Sequence, residues 1–427
     1  MKKSLRLFLL LPSFVVGGLF TNTAKAQCGT RYHDKIFADS LVSDILYGYN
    51  IKSTGTVDSL KLDIYFPKGD VLTARPLVIM AHGGNFLGGS KTGSDVKPLC
   101  QDLARLGYVA VSINYRVGMT GFPLPGPDSS DATEAVMRAV QDGRAAVRFM
   151  RKSFETGGNP YRIDTSMIFF GGVSAGGFIG LQMAYLDQMS EFPTYIDTIG
   201  KPGLTGGLEG NTGTPGYSSR IHGVINICGA LGDTAWIHAG DEPLLSLHGN
   251  VDNTVPYGSS TIVLLGTFPL LEVDGSYSIA ARANEVGILN CFETWEGQDH
   301  VPEVSNAFYY DSTIVLMRNF LAHFVCGDAL NCSYGPSIVN YIGMNEYVLN
   351  ENIHVYPNPA STQFTVEFGE VSESVNVSLI DATGKTVFST ITNQNRVTVS
   401  RNDYPAGIYL VRIQVGDAIS TSKLIFE

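Results

Sequence analysis

Charged residues make up only 16% of this 427-residue chain, tryptophan occurs twice, and the 29 Lys and Arg are outnumbered by 40 Asp and Glu. The shortage of cations decides the first question. A formal charge of −11 repels a polyanionic backbone, so no nucleic-acid partner is expected. The absence of any Cys-x-x-Cys pair leaves a zinc ribbon without support, and neither an internal repeat nor a low-complexity tract occurs. Beyond residue 26 no apolar run is long enough to span a bilayer, so the mature chain is read without an integral membrane segment. What is present is 44% hydrophobic residues, enough to offset the entropy of ordering. At about 100–200 residues per domain, the length suggests two or three domains.

The one long apolar run lies at the start. Lys2, Lys3 and Arg6 precede it, it covers 7–20, and Ala24-Lys25-Ala26 supplies small residues where a signal peptidase reads. Pro12, Ser13, Gly17 and Gly18 interrupt a stretch that is already short for a membrane anchor. The layout is that of a secretory signal peptide over 1–26. Its removal takes away Lys2, Lys3, Arg6 and Lys25 and no anion, so the formal charge goes from −11 to −15. Cysteines 28, 100, 228, 291, 326 and 332 all follow the cleavage point and meet an oxidising compartment. Their even number permits three disulfides, and the sequence leaves the pairing open. Cys228 sits in an apolar run and reads as a buried small hydrophobe, whereas Cys326 and Cys332 are close enough to clip a turn.

From 44 to 326, short apolar, β-branched runs (60–66, 76–81, 108–114, 167–170, 221–228, 244–247, 291–295) alternate with helical stretches. That order predicts an α/β fold, a mostly parallel sheet with helices on both faces. The run 60–66 alternates apolar and polar residues and reads as a half-exposed antiparallel edge strand. The clearest helix covers 132–152. Val136, Val140, Ala146, Val147 and Met150 form its apolar stripe, with Arg138, Asp142 and Arg148 outside it. The α/β region thus extends over 27–326, a turn-rich connector over 327–351, and a small all-β sandwich over 352–427.

Residues 172–176 read Gly172-Val173-Ser174-Ala175-Gly176, a GxSxG between the strand at 167–170 and a helical stretch at 178–187. A serine on such a sharp strand-to-helix turn needs small neighbours and sits at a helix N-terminus, whose free N–H groups favour developing negative charge. Serine attack on a carbonyl also requires donors for the oxyanion. Ala175 follows the nucleophile, and the strand at 76–81 runs into His82-Gly83-Gly84-Asn85-Phe86, whose glycines let backbone N–H groups approach a substrate. Gly83, Gly84 and Ala175 are therefore the candidate oxyanion donors. His82, which opens the turn ahead of the nucleophile, reads as a buttress of the loop.

With its HGG loop and GxSxGG elbow, the chain resembles an α/β-hydrolase of the carboxylesterase type. The resemblance implies a triad in the order Ser, acid, His. His248-Gly249-Asn250-Val251-Asp252-Asn253-Thr254-Val255-Pro256 is similar to the family's HGxxDxxVP signature, which makes Asp252 the acid; Asp299 and Asp274 are nearby alternatives. Glu296-Gly297-Gln298-Asp299-His300 resembles the family's histidine loop, and among eight histidines His300 alone follows Asp252 in a loop after a core strand. Ser174, Asp252 and His300 are then the catalytic set for an ester substrate, with neither cofactor nor metal required. Asn85 stands where the strongest form of the loop motif has a third glycine.

Loops leaving strand C-termini carry Phe86, Met119, Phe122 and Trp236 as candidate substrate-pocket walls. The usual cap position holds only the short segment 229–241, and the Gly/Pro-rich stretch 190–220 should leave on the opposite edge. An open site, suited to bulky or polymeric alcohols such as acylated polysaccharides, is the expectation. Finally, Val355-Tyr356-Pro357-Asn358-Pro359, the turn Ala382-Thr383-Gly384-Lys385, Gly407-Ile408-Tyr409-Leu410-Val411-Arg412 and Lys423-Leu424-Ile425 resemble the C-terminal sorting domain of type IX secretion in Bacteroidetes. That resemblance implies the type IX machinery as partner of 352–427, export to the cell surface or medium, and removal of the domain. The rival readings are a serine peptidase of the prolyl-oligopeptidase type, which would want a long preceding propeller, and an adhesin on a non-catalytic scaffold.

Overall fold

The runs Arg75–Ala81, Val109–Ile113 and Val224–Ile227 are buried at every position, as strands inside a doubly covered sheet must be. The computed structural model describes residues 28–196, 199–334, 354–367, 374–381, 385–401, 404–415 and 418–427. The expected signal peptide, most of the expected connector and the turn at 382–384 lie outside the described residues. Two compact units divide between Tyr334 and Gly335.

In the first unit the elements are, in order, β1 (Asp39–Ile51), β2 (Val57–Pro67), β3 (Arg75–Ala81), α1 (Lys97–Leu106), β4 (Val109–Ile113), α2 (Ser129–Glu155), β5 (Ile163–Val173), α3 (Ala175–Tyr185), β6 (Val224–Ile227), β7 (Ala230–Leu231), β8 (Leu244–Gly249), β9 (Ser259–Leu264), β10 (Phe268–Gly275), α4 (Ser276–Val286), β11 (Asn290–Trp295) and α5 (Ala307–Cys326). The main sheet has the order β1-β2-β4-β3-β5-β6-β8-β11. β2 runs antiparallel to both its neighbours, and from β4 to β11 all pairs are parallel. Alternation along β3 shows the two layers. Leu77, Ile79 and Ala81 join the core with α2, α3 and α4, while Val78 and Met80 join the one with α1 and α5.

Several expectations need correction. The run 60–66 is antiparallel but not an edge, because β1 pairs outside it and leaves its residues largely buried. The hairpin β9–β10 with β7 forms a separate three-stranded sheet, whose hairpin strands are absent from the apolar runs named above. Arg138, Asp142 and Arg148 of α2 are buried rather than solvated. The segment 199–220 folds over that face and meets its charges with backbone carbonyls: Arg138 Nε donates to Pro202 O (2.9 Å) and Arg148 Nη2 to Thr212 O (3.0 Å). Cys326 and Cys332 do not pair with each other. Cys28 bonds Cys326 and Cys291 bonds Cys332, while Cys100 and Cys228 are buried free thiols.

The second unit packs a sheet of β12 (His354–Tyr356), β13 (Gln363–Glu367) and β16 (Arg396–Ser400) against one of β14 (Val375–Ile380), β15 (Thr386–Thr392), β17 (Gly407–Val415) and β18 (Ala418–Phe426). Inward residues of both sheets, Phe364, Val366, Val377, Leu379, Val411 and Phe426 among them, share one core, which is the construction of a sandwich.

Candidate active site

Ser174 follows β5 directly and caps α3 with φ 53° and ψ −117°, a positive-φ conformation that a side chain other than glycine's rarely adopts. Tight packing enforces it. A Cβ on Gly176 would lie 1.9 Å from Ala81 O, and one on Gly172 would lie 2.5 Å from the same atom, so both neighbours must be glycine. The elbow is thereby wedged against the end of β3, and Ser174 N–H donates to Ile227 O of β6 at 2.7 Å.

Three loops at the C-terminal ends of β5, β8 and β11 bring Ser174, Asp252 and His300 together. His300 Nε2 lies 2.9 Å from Ser174 Oγ, and His300 Nδ1 lies 2.7 Å from Asp252 Oδ2. Asp252 Oδ1 accepts from the backbone N–H groups of Thr254 and Val255, both at 2.8 Å. Burial pushes this carboxyl up, but hydrogen bonds from His248 and His300 outweigh it and hold Asp252 well below the usual carboxylate range. The alternative acids lie elsewhere. Asp299 ties the two loops, accepting from the N–H groups of Asn253 (2.9 Å) and His300 (2.8 Å), whereas Asp274 on β10 accepts from Thr234 N–H (2.7 Å).

The candidate donors divide. Gly83 N–H donates to Asp95 Oδ2 at 2.6 Å, so it is already committed, which argues against Gly83 as an oxyanion donor. The N–H groups of Gly84 and Asn85 meet no backbone or side-chain acceptor among the described residues, and Asn85, at φ 54°, lines the cleft with Ser174. Ala175, first residue of α3, keeps its N–H free of the helix ladder. His82 stacks on Tyr115 with centroids 4.3 Å apart, and Tyr115 Oη donates to His82 O (2.8 Å), which holds the glycine turn in place. Burial pulls the His82 imidazole down.

Of the expected wall residues, Phe86 and Met119 line the cleft at Ser174 together with Phe178, Val255, Ile262 and Leu270. Phe122 is exposed and outside it, and Trp236 lines a neighbouring cavity. The cleft is narrow, about 40 Å³. Its far wall is the β9–β10 hairpin, so this side of the cleft is covered rather than open. Sequence reasoning passed over that hairpin although Ile262 and Leu264 alternate with exposed neighbours and Gly266 marks the turn. It also passed over His248, present in the quoted signature, whose Nε2 lies 3.2 Å from Asp252 Oδ2.

Among the described residues, two groups approach metal-ligand spacing. Cys228, His248 and Asp252 place one ligand atom each within 4.8 Å of the others, as do His33, Cys326 and Asp328. In the first, Asp252 already holds two histidines; in the second, the sulfur belongs to a disulfide.

Residues 62–232 match the family model described as BD-FAE, and residues 354–427 match the model described as "Secretion system C-terminal sorting domain". Among curated proteins, "Fumonisin B1 esterase" of Sphingopyxis macrogoltabida is 28% identical over 183 residues, 42% of this chain and 32% of that protein. "Neuroligin-like protein glit-1" of Caenorhabditis elegans is 34% identical over 109 residues, 25% of this chain. The chain thus spans about a third and, at 14%, about a seventh of these two relatives' lengths. Similar solved structures include esterase 2 of Thermogutta terrifontis, 20% identical with TM-score 0.47 over 69% of this chain and 98% of that one. A "Truncated form of carbohydrate esterase from gut microbiota" is 19% identical with TM-score 0.44, over 68% and 98%. No helix among the described residues is long and apolar enough to cross a membrane. Sheet order and elbow give the first unit the α/β-hydrolase fold, and residues 354–427 match a secretion-system sorting domain.

Proposed function

We propose that the protein is a secreted serine carboxylesterase that cleaves carboxylic esters through an acyl-enzyme on Ser174. One observation carries the reading: the 2.9 Å contact of Ser174 Oγ with an imidazole whose other nitrogen is 2.7 Å from a buried carboxylate. His300 Nε2 takes the Oγ proton as Oγ attacks the ester carbonyl. The N–H groups of Ala175, Gly84 and Asn85 meet the oxyanion, and Asp252 stabilises the imidazolium. His300 then protonates the leaving alcohol, and water attacks the acyl-enzyme with His300 again as base. The reaction needs no metal or organic cofactor.

The acyl group enters the apolar cleft, and the alcohol points to solvent past Asn253 and Thr254, both exposed. That side accommodates a bulky alcohol, such as a decorated polysaccharide. A relative named as an esterase supports the class of bond. Residues 352–427 address the enzyme to the type IX machinery, which carries it past the outer membrane and removes them.

The test uses the full chain with short acyl esters, peptide amides and a serine-directed phosphonate, beside Ser174→Ala. Ester turnover and labelling, both lost in the variant, are expected. Turnover of amides alone would move the reading to a peptidase, and an unlabelled, inactive protein would leave only a binding scaffold.

A further inference from the structure

A second cavity, of about 280 Å³, adjoins the cleft at Ser174, and Phe178 and Leu271 line both. The elements that wall the cleft continue into it. On α2, Ala132 faces the cleft, and Thr133, Val136 and Met137 face the cavity. On α3, Phe178 is followed one turn later by Gln182, and Leu186, just past the helix end, joins it in the cavity wall. On β10, Leu270 and Leu271 give way to Val273. Trp236 closes one side, and Pro193 and Tyr195 from the segment after α3 another. The two spaces therefore adjoin along α2, α3 and the hairpin and share the side chains of Phe178 and Leu271 as a common wall.

We infer that this cavity is a distal acyl subsite, and that Phe178 and Leu271 form the gate through which an elongated apolar acyl group reaches it. The inference rests on the proposed esterase reading and names its acyl class. Size supports it. A single water needs about 10–15 Å³ of such space, so a cleft of about 40 Å³ leaves room for a short acyl group only. The eight residues from Ser174 to Gln182 advance along α3 by about 12 Å, the reach of an extended chain of about eight to ten carbons. Val136, Met137, Leu186, Val273 and Trp236 offer apolar surface to such a chain, while Gln182 and the carboxylates of Glu191, Asp233 and Glu272 complete the lining, Asp233 and Glu272 at exposed positions. Of the two gate residues, Phe178 is buried and meets Phe86 edge-on with centroids 6.1 Å apart.

The experiment compares kcat/KM for p-nitrophenyl acetate, butyrate and octanoate with the full chain and the variants Val136→Phe, which fills the cavity, and Trp236→Ala, which removes a wall on a short exposed turn. The wild type is expected to prefer octanoate to acetate. Each variant should lower the octanoate-to-acetate ratio by about tenfold, mostly through KM, as lost burial of several methylenes requires. Equal effects on all three esters, or a wild type confined to acetate, would overturn the subsite while leaving the esterase reading intact. Absence of phosphonate labelling at Ser174 would overturn both. Should Val136→Phe fail to fold, the Trp236→Ala ratio decides.

Discussion

His248 Nε2 lies 3.2 Å from the same Asp252 oxygen that His300 Nδ1 meets at 2.7 Å, so two imidazoles share one carboxylate oxygen. His248 is wholly buried, and its other nitrogen lies 2.7 Å from Ser276 Oγ, which in turn accepts from Asn226 Nδ2 at 2.9 Å. The chain of contacts fixes which way His248 faces and, through it, the plane of the Asp252 carboxyl. His248→Ala should therefore raise the Asp252 carboxyl toward its ordinary range and loosen its grip on His300. The expected loss in kcat/KM on a short ester is about ten- to a hundredfold at unchanged KM, as for a misplaced catalytic group. His248→Asn, which keeps a donor, should recover part of it.

Glu303, three residues beyond His300, is a buried carboxyl with neither oxygen hydrogen-bonded among the described residues. Burial, then the charges of Asp95 and Asp252, pushes it up to about 8 from 4.5. Below the lower value the group is protonated in both folded and unfolded chains and contributes nothing to pH dependence. Between the two, the unfolded chain releases its proton and the folded one keeps it, so stability falls as pH rises, and above about 8 the loss is complete. Glu303→Gln should remove this slope. The difference in unfolding free energy between variant and wild type should grow in the variant's favour by a few kcal/mol (~) from pH 5 to 9. A constant difference across that range would show that Glu303 ionises freely.

How much of this was legible beforehand depended on range. Ser174 could be read because everything that makes the elbow, a strand, two glycines and a helix start, lies within a dozen residues. Asp252 and His300 followed from order along the chain. The oxyanion donors could not be sorted that way, because what commits Gly83 N–H is a carboxylate twelve residues on, and only a folded loop brings it there. The charges on α2 were placed outward since periodicity sees one helix, whereas the carbonyls that receive Arg138 and Arg148 come from more than 60 positions away. The β9–β10 hairpin had strand signals, but its place as the wall of the cleft depends on pairing with a two-residue strand, β7.

Cys28 and Cys326 close a loop of 298 residues and pin the start of the first unit to the end of α5. Constraining so long a loop in the unfolded chain contributes about 2–4 kcal/mol. Cys28→Ser in the exported protein should thus lower the melting temperature of the hydrolase unit by several degrees. Ester turnover at 25 °C should be retained, since the bond is remote from the loops that carry Ser174, Asp252 and His300. An unchanged melting temperature would show that the unfolded chain is already constrained there.

Asp142 separates two views of the segment 199–220, as idle loop or as the cover of a charged helix face. Its Oδ2 accepts from Arg116 Nε at 2.8 Å and Arg116 N–H at 2.9 Å, and its Oδ1 from Thr212 Oγ1 at 2.9 Å, all out of solvent. Arg116 also donates to Gly203 O at 2.6 Å, so one ion pair joins α2, the loop after β4 and the covering segment. Removing one partner of a buried pair leaves the other charge without compensation, at a cost of about 3–5 kcal/mol. Asp142→Ala should lower the urea midpoint accordingly with little change in slope, and Asp142→Asn, which keeps an acceptor, should lose less. The surface pair Arg105–Asp39, held at 2.9 Å with the arginine side chain 40% exposed, is the internal comparison. Asp39→Asn should cost no more than about 1 kcal/mol, because water and salt already screen it. If the two substitutions cost the same, the covering segment does not desolvate the pair, and the buried face of α2 owes its stability to its apolar stripe alone.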